Sequence, residues 1–366
     1  MRHLLTYIIL AAASLLLTAC HIYDDYMYGP DGEQKVRVSF VLALGSSDAP
    51  FTKAETWSPV EPDGNAGYYA PKDIGDSFDN MISNLQVVFY DAQTDRYYSK
   101  VKITGYQKID SQDSNMNLYR FSGDMWVDED DLDKEFKMMV FTNMDHNIQP
   151  WTSMNDLEAL VFDTEGLSTK GIPMWGVQSV TLNQMKESDV TVYVLRAMAK
   201  VEVKLGEAPL EEGYTLSSMT MNNLNTSGYV LPHGAISGSR IVAATEVLSL
   251  DGLRIRSSHA DAYTVSGDKA RSLVMYVPEY DNLTTPAMAA KISLVLNKGE
   301  GVVYKPSATI EFKGYVDGRP SGAAYDIRRN HNYVFEINQI KVGEEGLKFI
   351  VDIEDLELGG RYGFEF

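Results

Sequence analysis

The sequence predicts an all-β protein of two β-sandwich domains in tandem, with a short helix in the first domain. Short runs that alternate apolar and polar residues recur along most of the 366 residues, and Gly, Pro, Asn and Asp separate them. Apolar residues at the helical period form no segment of convincing length over most of the chain. The 22 Tyr and 13 Phe favour strands. Many short strands separated by turns are typical of β-sandwiches.

The composition predicts a folded, acidic protein. Hydrophobic residues make up 44% of the chain and charged residues 23%, as in ordinary globular proteins. The length allows two domains of usual size. A net charge of −19 repels nucleic acid phosphates and anionic membrane surfaces. Neither is therefore expected as a partner of the folded part.

The first 19 residues predict a lipoprotein signal peptide. Arg2 precedes an apolar stretch over residues 4–17, which is too short for a stable membrane span. Residues 17–20 (LTAC) resemble a lipobox, and Cys20 is the only cysteine in the chain. The alternative is an ordinary signal peptide with an incidental Cys. A lipobox predicts cleavage before Cys20 and attachment of outer-membrane lipid, including acyl chains such as palmitate, to its thiol.

The clearest predicted strand spans residues 36–44. Its apolar residues alternate with others and share one face, namely Val36, Val38, Phe40, Leu42 and Leu44. A stretch over residues 45–79, rich in Pro, Gly, Ser and Asp, then predicts a loop. Such length is unusual inside a compact domain, which indicates a processing or exchange segment.

Further strands are predicted in both halves of the chain. Those of the first half are residues 85–90, 97–103, 118–121, 136–142, 179–182 and 190–195. Those of the second half are residues 200–205, 215–221, 272–277, 291–296, 308–312, 333–337 and 348–353. A short helix is predicted over residues 153–160, with Ser153 as its N-cap and Asp156 in its first turn. The predicted domains are residues 54–196 and 197–366, with the boundary near Arg196.

Motifs for catalysis and metal binding were sought in the sequence, and the matches are poor. The six histidines are scattered, with no pair at metal-ligand spacing. Residues 124–135 are rich in carboxylates but lack the Gly and closing Glu of a calcium-binding EF-hand loop. The chain has no P-loop and no dinucleotide-binding Gly motif after a strand. The sequence therefore predicts no catalytic residue, no metal and no cofactor, and a protein that is not an enzyme.

Four segments together resemble the fimbrillins, the subunits of type V pili that are made as lipoprotein precursors. Residues 192–203 (VYVLRAMAKVEV) resemble the crossing between the two domains of that family. Residues 172–176 (IPMWG), 275–279 (MYVPE) and 329–333 (RNHNY) resemble its other landmarks, in the same order and spacing. With the lipobox, these matches span most of the mature chain.

The resemblance implies two transthyretin-like sandwiches and assembly by strand exchange into a cell-surface fimbrium. A protease cuts the precursor after a basic residue, which removes the first strand and opens a hydrophobic groove. The C-terminal extension of another pilus subunit then fills the groove by β-augmentation. In this chain, cleavage after Lys53 would release the tether and strand over residues 20–53. The predicted donor is residues 347–366, in which Phe349, Val351 and Ile353 alternate with other positions.

Several alternatives stay open at this point. Lys53 could equally be one exposed lysine among many, and the C-terminal strands could close the second sandwich instead of being donated. Residues 20–25 (CHIYDD) resemble the start of anchor subunits, which retain their lipid and first strand, so stalk, tip and anchor are not distinguished. A non-polymerising surface lipoprotein could bind host or bacterial glycans through its four tryptophans, Trp57, Trp126, Trp151 and Trp175.

The lipobox gives a direct test of export. Cys20→Ala is expected to abolish acylation and surface delivery, because the chain offers no other thiol to the lipid. Labelling with a radioactive fatty acid, followed by membrane fractionation, measures both effects. Ser14→Ala, a substitution within the apolar stretch, is the matched control. Normal labelling of the Cys20 variant would contradict the assignment.

Overall fold

The all-β class is confirmed by the computed structural model of the chain. The structure describes residues 34–45, 78–110, 116–187, 190–242, 252–299, 302–304, 309–316, 319–343 and 346–357. Cys20, Lys53 and Trp57 lie outside these ranges. Within them, the helical segments are four α-helices of four to six residues and three short 3-10 turns.

Ten strands, three α-helices and two 3-10 turns make up the first half. The strands are β1 Gln34–Gly45, β2 Leu85–Asp91, β3 Tyr97–Lys100, β4 Lys102–Ile109, β5 Met116–Val127, β6 Glu135–Thr142, β7 Val161–Asp163, β8 Met174–Thr181, β9 Val190–Tyr193 and β10 Leu195–Arg196. The helices are α1 Met154–Glu158, α2 Leu167–Lys170 and α3 Leu182–Glu187, and the 3-10 turns are Phe78–Asn80 and Glu129–Asp131.

Fourteen strands, one α-helix and one 3-10 turn are described in the second half. The strands are β11 Ala199–Leu205, β12 Tyr214–Asn225, β13 Ser227–Tyr229, β14 Ile236–Ser237, β15 Arg240–Ile241, β16 His259–Ala270, β17 Ser272–Val277, β18 Lys291–Lys298, β19 Val302–Tyr304, β20 Ile310–Glu311, β21 Lys313–Val316, β22 Arg319–Ala324, β23 His331–Gly343 and β24 Gly346–Glu357. The helix is α4 Glu207–Glu211, and the 3-10 turn is Pro286–Met288.

The main sheets form two pairs, each with a hydrophobic core. In the first half, a sheet of order β4-β5-β1-β9 pairs with one of order β10-β8-β6-β2-β3. In the second half, a sheet of order β17-β11-β23-β24 pairs with one of order β16-β12-β18-β19. The strands of the first pair all precede Ala197, and those of the second pair all follow it. The division into two independent domains stays a prediction.

Four strand predictions need correction. Residues 190–195 do not form one strand, because the chain leaves β9, which pairs with β1, and at Leu195 enters β10, which pairs with β8 in the other sheet. Residues 97–103 do not form one strand, because the chain crosses at Val101 from β3, which pairs with β2, to β4, which pairs with β5 in the other sheet. Residues 179–182 are the end of β8 followed by the start of α3. Residues 308–312 shorten to the two-residue strand β20.

Strand β16 was not predicted from the sequence at all. It is an edge strand that pairs only with β12 in its sheet. Most of its residues are exposed, so neither face has the apolar repeat by which strands are recognised.

The predicted helix is present as α1, and a capping box fixes its start. The Ser153 Oγ accepts from the Asp156 N–H at 3.1 Å, and the Asp156 Oδ2 accepts from the Ser153 N–H at 2.9 Å.

The four fimbrillin-like segments meet where the chain passes from the first pair of sheets to the second. Strand β10 pairs Leu195 with Trp175 and Arg196 with Met174, and the Ala197 N–H donates to the Pro173 carbonyl at 2.8 Å. These contacts join the segments over residues 172–176 and 192–203. Their shared position in space explains why the two motifs occur together in the sequence.

Residues 329 and 330 complete this junction. The Asn330 N–H donates to the Met198 carbonyl at 2.9 Å, and the Asn330 Oδ1 accepts from the Arg196 N–H at 3.3 Å. The buried Arg329 forms an ion pair with the buried Glu279, with 2.8 Å between Nη2 and Oε2. A buried pair of this kind costs stability when one partner is removed. The junction therefore depends on groups from all four segments.

Gly176 tests the packing of the first sandwich. A Cβ at this position would lie 2.3 Å from the Tyr193 carbonyl oxygen and 2.9 Å from the Val194 Cγ1. We therefore expect Gly176→Ala to lower the free energy of unfolding by about 1–3 kcal/mol, the usual cost of overpacking. Chemical denaturation measures this change. Gly105→Ala is the control, because its Cβ meets only the Ser122 Oγ at 3.4 Å. Equal effects of the two substitutions would contradict the packing argument.

Candidate functional site: the groove filled by the first strand

Strand β1 lies in the middle of its sheet. It pairs antiparallel with β5 along its whole length, from Gln34 opposite Val127 to Gly45 opposite Met116. On its other side it pairs parallel with β9, from Phe40 opposite Val190 to Ala43 opposite Tyr193. A long stretch of chain therefore separates β1 from the strands on both sides of it, and the sheet depends on β1 for continuity.

The inner face of β1 supplies part of the first hydrophobic core. Its five predicted side chains are at most 2% exposed, namely Val36, Val38, Phe40, Leu42 and Leu44. The Phe40 and Phe121 rings stack, with their centroids 5.7 Å apart. Burying side chains of this size contributes about 1.5–3 kcal/mol each. The strand is therefore held too firmly to leave the sheet spontaneously.

The outer face of β1 is only partly polar. Lys35 and Arg37 are exposed, and the Lys35 Nζ lies 3.1 Å from the Asp124 Oδ2 on β5. Further along, Val41 and Ala43 are 3% and 1% exposed, although the two-residue repeat places them opposite the core face. The sequence analysis did not count these two among the buried positions. Their burial could have been predicted from their apolar character, because the run from Phe40 to Leu44 contains no polar residue.

The two ends of β1 are held unequally. Strand β9 begins at Val190 and pairs only with residues 40–43, so the described part of the sheet pairs residues 34–39 only with β5. Beside this part of β1 lies a cleft of about 460 Å³, lined by residues 34–39 together with Ser122 and Met185. Among the described strands, the N-terminal half of β1 therefore has one partner, whereas residues 40–43 have two.

Removal of β1 would leave a groove in the first sandwich. Because neighbouring strands lie about 4.8 Å apart, β5 and β9 would then be separated by about 10 Å. The groove would expose the underlying core and the unpaired main-chain groups of both strands. Natural proteins avoid such open edges because they pair with other chains. This arrangement can accept an extended segment with an apolar face.

The predicted donor region lies, in this structure, within the second sandwich. Strand β24 is an edge strand and pairs antiparallel with β23, from His331 opposite Glu357 to Gly343 opposite Gly346. Within this ladder Phe349, Val351 and Ile353 lie opposite Ile340, Ile337 and Phe335. Residues 358–366 lie outside the described ranges. The structure therefore places β24 in its own sheet, and its use as a donor stays a prediction.

Metal ligands and tryptophans were also considered as candidate site residues from the sequence. No group of three or more His, Cys, Asp or Glu side chains suited to a metal occurs in the described ranges. Trp175 is buried, whereas Trp126 and Trp151 are 40% and 79% exposed.

Burial lowers the pKa of Lys100 to about 8, and its Nζ donates to the Gln86 Oε1 at 2.9 Å. Among the described helices, none has the length and apolar character that crossing a membrane requires.

A second cleft, of about 800 Å³, is lined by residues of both halves of the chain. Its walls include Phe78, Tyr263 and Tyr276 together with the carboxylates Asp163 and Glu165. Tyr263 is 50% exposed, and the rings of Phe78 and Tyr276 lie 4.7 Å apart between centroids. Aromatic rings beside polar groups can contact sugars. The sequence analysis did not predict this grouping, because its members are distant in the sequence.

Solved structures with a similar arrangement include two fimbrial proteins. A tip fimbrial protein from Porphyromonas gingivalis, solved with a C-terminal truncation, is 13% identical, with a TM-score of 0.46 over 87% of this chain and 99% of its own. A fimbrial assembly protein from Parabacteroides distasonis is 14% identical, with a TM-score of 0.47 over 88% of this chain and 99% of its own. No protein-family model and no curated protein sequence matches the chain.

The buried face of β1 predicts a large stability effect from a single side chain. Phe40→Ala is expected to lower the free energy of unfolding by about 3–5 kcal/mol, because it removes a stacked ring from a closed core. Denaturant titration of the purified, uncut protein measures this value. Arg37→Ala, an exposed position on the same strand, should change it by less than about 0.5 kcal/mol. A small effect of Phe40→Ala would mean that β1 contributes little to the core.

Proposed function

We propose that this chain is a structural subunit of a cell-surface pilus and supports adhesion. It is delivered as a lipoprotein precursor and joins other subunits by strand exchange. The observation that carries this proposal is the position of β1, a central strand that fills a core groove yet is separated from the next described strand by a long stretch of sequence. A strand placed in this way can be released by one cut and replaced by a similar strand from another chain.

The physical order of events follows from how firmly β1 is held. Its buried face and its ladder with β5 keep the groove closed in the precursor. A cut in residues 46–77, where Lys53 lies, makes β1 a separate peptide that a donor can displace. The incoming strand then restores the same main-chain hydrogen bonds and core contacts. Exchange therefore replaces one set of contacts by an equivalent set, while the uncut precursor stays a monomer.

The lipid on Cys20 would hold the precursor at the outer membrane until this cut. Cleavage after Lys53 separates the lipid and β1 from the rest of the chain, so the subunit leaves the membrane only when it can accept a donor. A subunit that is not cut would keep both its lipid and β1, and would serve as the anchor of the same pilus. The N-terminal residue of the protein in shed filaments distinguishes these two roles.

A second candidate function is the binding of glycans by a surface lipoprotein that does not polymerise. It is favoured by the cleft that contains Phe78, Tyr263 and Tyr276, since aromatic side chains there border carboxylates. The two functions predict different mature proteins. A pilus subunit begins after the cut in residues 46–77, whereas a binding lipoprotein begins at acylated Cys20.

The strand-exchange proposal is tested by removing each partner of the exchange separately. Deletion of residues 347–366 should leave a secreted, largely folded protein that accepts a donor but cannot donate. Lys53→Ala should block cleavage and therefore acceptance. Each variant is mixed with unmodified subunits, and detergent-resistant ladders are scored on unboiled gels. Lys72→Ala, in the same segment as Lys53, is the matched control and should leave the ladders unchanged.

The outcomes separate the parts of the proposal. Unchanged ladders from the C-terminal deletion would eliminate residues 347–366 as the donor. Unchanged ladders from Lys53→Ala would move the cleavage site or favour the anchor role. Absence of ladders from unmodified, cleaved subunits would contradict strand exchange itself.

A further inference from the structure

We propose that β24 of a second copy enters the groove in the same direction as β1, with Leu347 at the position of Val36 and Ile353 at that of Leu42. This inference rests on the proposed function and adds the direction and register of the donor. It places the incoming strand antiparallel to β5, as β1 is. The side chains that β5 presents along the groove distinguish this arrangement from the alternatives.

The two strands match in length and in apolar pattern. Both β1 and β24 have 12 residues. In the proposed register, the four apolar positions Val36, Val38, Phe40 and Leu42 are taken by Leu347, Phe349, Val351 and Ile353. The inner face of the groove is thus refilled by side chains of similar character. β24 is an edge strand paired only with β23, so its release breaks one ladder.

The outer face of β5 carries charges that distinguish between registers and directions. Asp124 lies opposite Arg37, and Arg120 lies opposite Val41. In the proposed register, Lys348 takes the place of Arg37 and faces Asp124. Asp352 takes the place of Val41 and faces Arg120. Opposite charges directly across a ladder stabilise it, so both positions favour this arrangement.

The reversed direction fits the apolar face equally well but not the charges. With Ile353 at Val36 and Leu347 at Leu42, the same four apolar side chains would fill the groove. Asp352 would then lie opposite Asp124, and Lys348 would lie opposite Arg120. Like charges directly opposite each other destabilise a strand pair and provide specificity against the wrong arrangement. The charge pattern therefore selects the direction of β1.

If the donor strand is shifted by two residues in either direction from the proposed register, a carboxylate takes a core position of β1. If Phe349 took the position of Phe40, Glu345 would occupy that of Val36, which is 2% exposed. If Phe349 took the position of Val36, Asp355 would occupy that of Leu42, which is 0% exposed. Burial of an unpaired carboxylate is costly. The second shift also places Glu357 at the position of Leu44, so two carboxylates enter the core. The first shift puts Gly346 opposite Asp124 and Ile350 opposite Arg120, so both charge pairs are lost.

The proposed register places one carboxylate, that of Asp355, at the position of Leu44. Leu44 lies opposite Asn117, which is 5% exposed. Within the described residues, the Asn117 Nδ2 is buried without a hydrogen-bond partner. A buried amide donor of this kind costs stability until an acceptor is supplied. The Asp355 carboxylate can accept from this Nδ2, which the apolar Leu44 side chain cannot do.

Engineered cysteines test the direction and the register. The chain after cleavage at Lys53 has no cysteine, because Cys20 is the only one. The acceptor carries Asp124→Cys and lacks residues 347–366, so it cannot donate. It is mixed with a full-length donor that carries Lys348→Cys, and the matched control donor carries Asp352→Cys. Directly opposite residues have the spacing that a disulfide needs. We expect a disulfide-linked dimer with the Lys348→Cys donor and no such dimer with the Asp352→Cys donor.

Unmodified cleaved subunits are run as the control for ladder formation. Each outcome then tests a different part of the inference. A dimer from Asp352→Cys alone would overturn the proposed direction while leaving strand exchange intact. Ladders without a dimer from either donor would overturn the register. Failure of the unmodified subunits to form ladders would overturn the proposed function and this inference together. As a second measurement, Asp124→Lys should weaken the ladders formed with an unmodified donor, and a donor with Lys348→Asp should restore them.

Discussion

The burial of the inner face of β1 is the constraint on which the first sandwich depends. Five side chains of this strand enter the core, and its ladder with β5 and its pairing with β9 hold the four-stranded sheet together. A central strand cannot be lost without opening the core, whereas an edge strand such as β16 can move at lower cost. The same strand is followed by the long segment over residues 46–77. In the proposed exchange, this tightly packed strand would keep the precursor stable before cleavage and could be replaced after it.

The junction between the two halves has a different role. Asn330 contacts Arg196 and Met198 of the passing chain, Arg329 pairs with Glu279, and β7 pairs with β13 across the two halves. Lys137 and Asp95 of the first half also form a 2.7 Å ion pair, and the Lys137 Nζ donates to the Ile241 carbonyl of the second half. These contacts combine backbone pairing with side-chain ion pairs and hydrogen bonds. A subunit that bears load along a filament would gain from such a connection, because pulling must break several contacts at once.

In the proposed exchange, the acceptor groove and the donor strand place opposite demands on one sequence. The groove needs an apolar floor that only an apolar strand can fill, yet two apolar strands alone would pair in either direction. Asp124 and Arg120 on β5 would supply the missing specificity from the outer face of the sheet, where each would lie opposite a donor residue of the other sign. Buried apolar contacts would thus provide the binding energy, and charges on the outer face would set the direction. The same division of roles is common in coiled coils and other paired elements.

The sequence by itself determined the all-β class, most strands, the start of α1 and the buried face of β1, because local alternation and capping residues specify these features. Only the tertiary structure decided that β1 is a central strand, that Val41 and Ala43 are also buried, and that residues 97–103 cross between sheets. It also joined the four motif segments at one junction and set Asn117 opposite Leu44. The physical reason is that alternation reports which face of a strand is apolar, whereas strand order and partners depend on contacts between residues far apart in the chain.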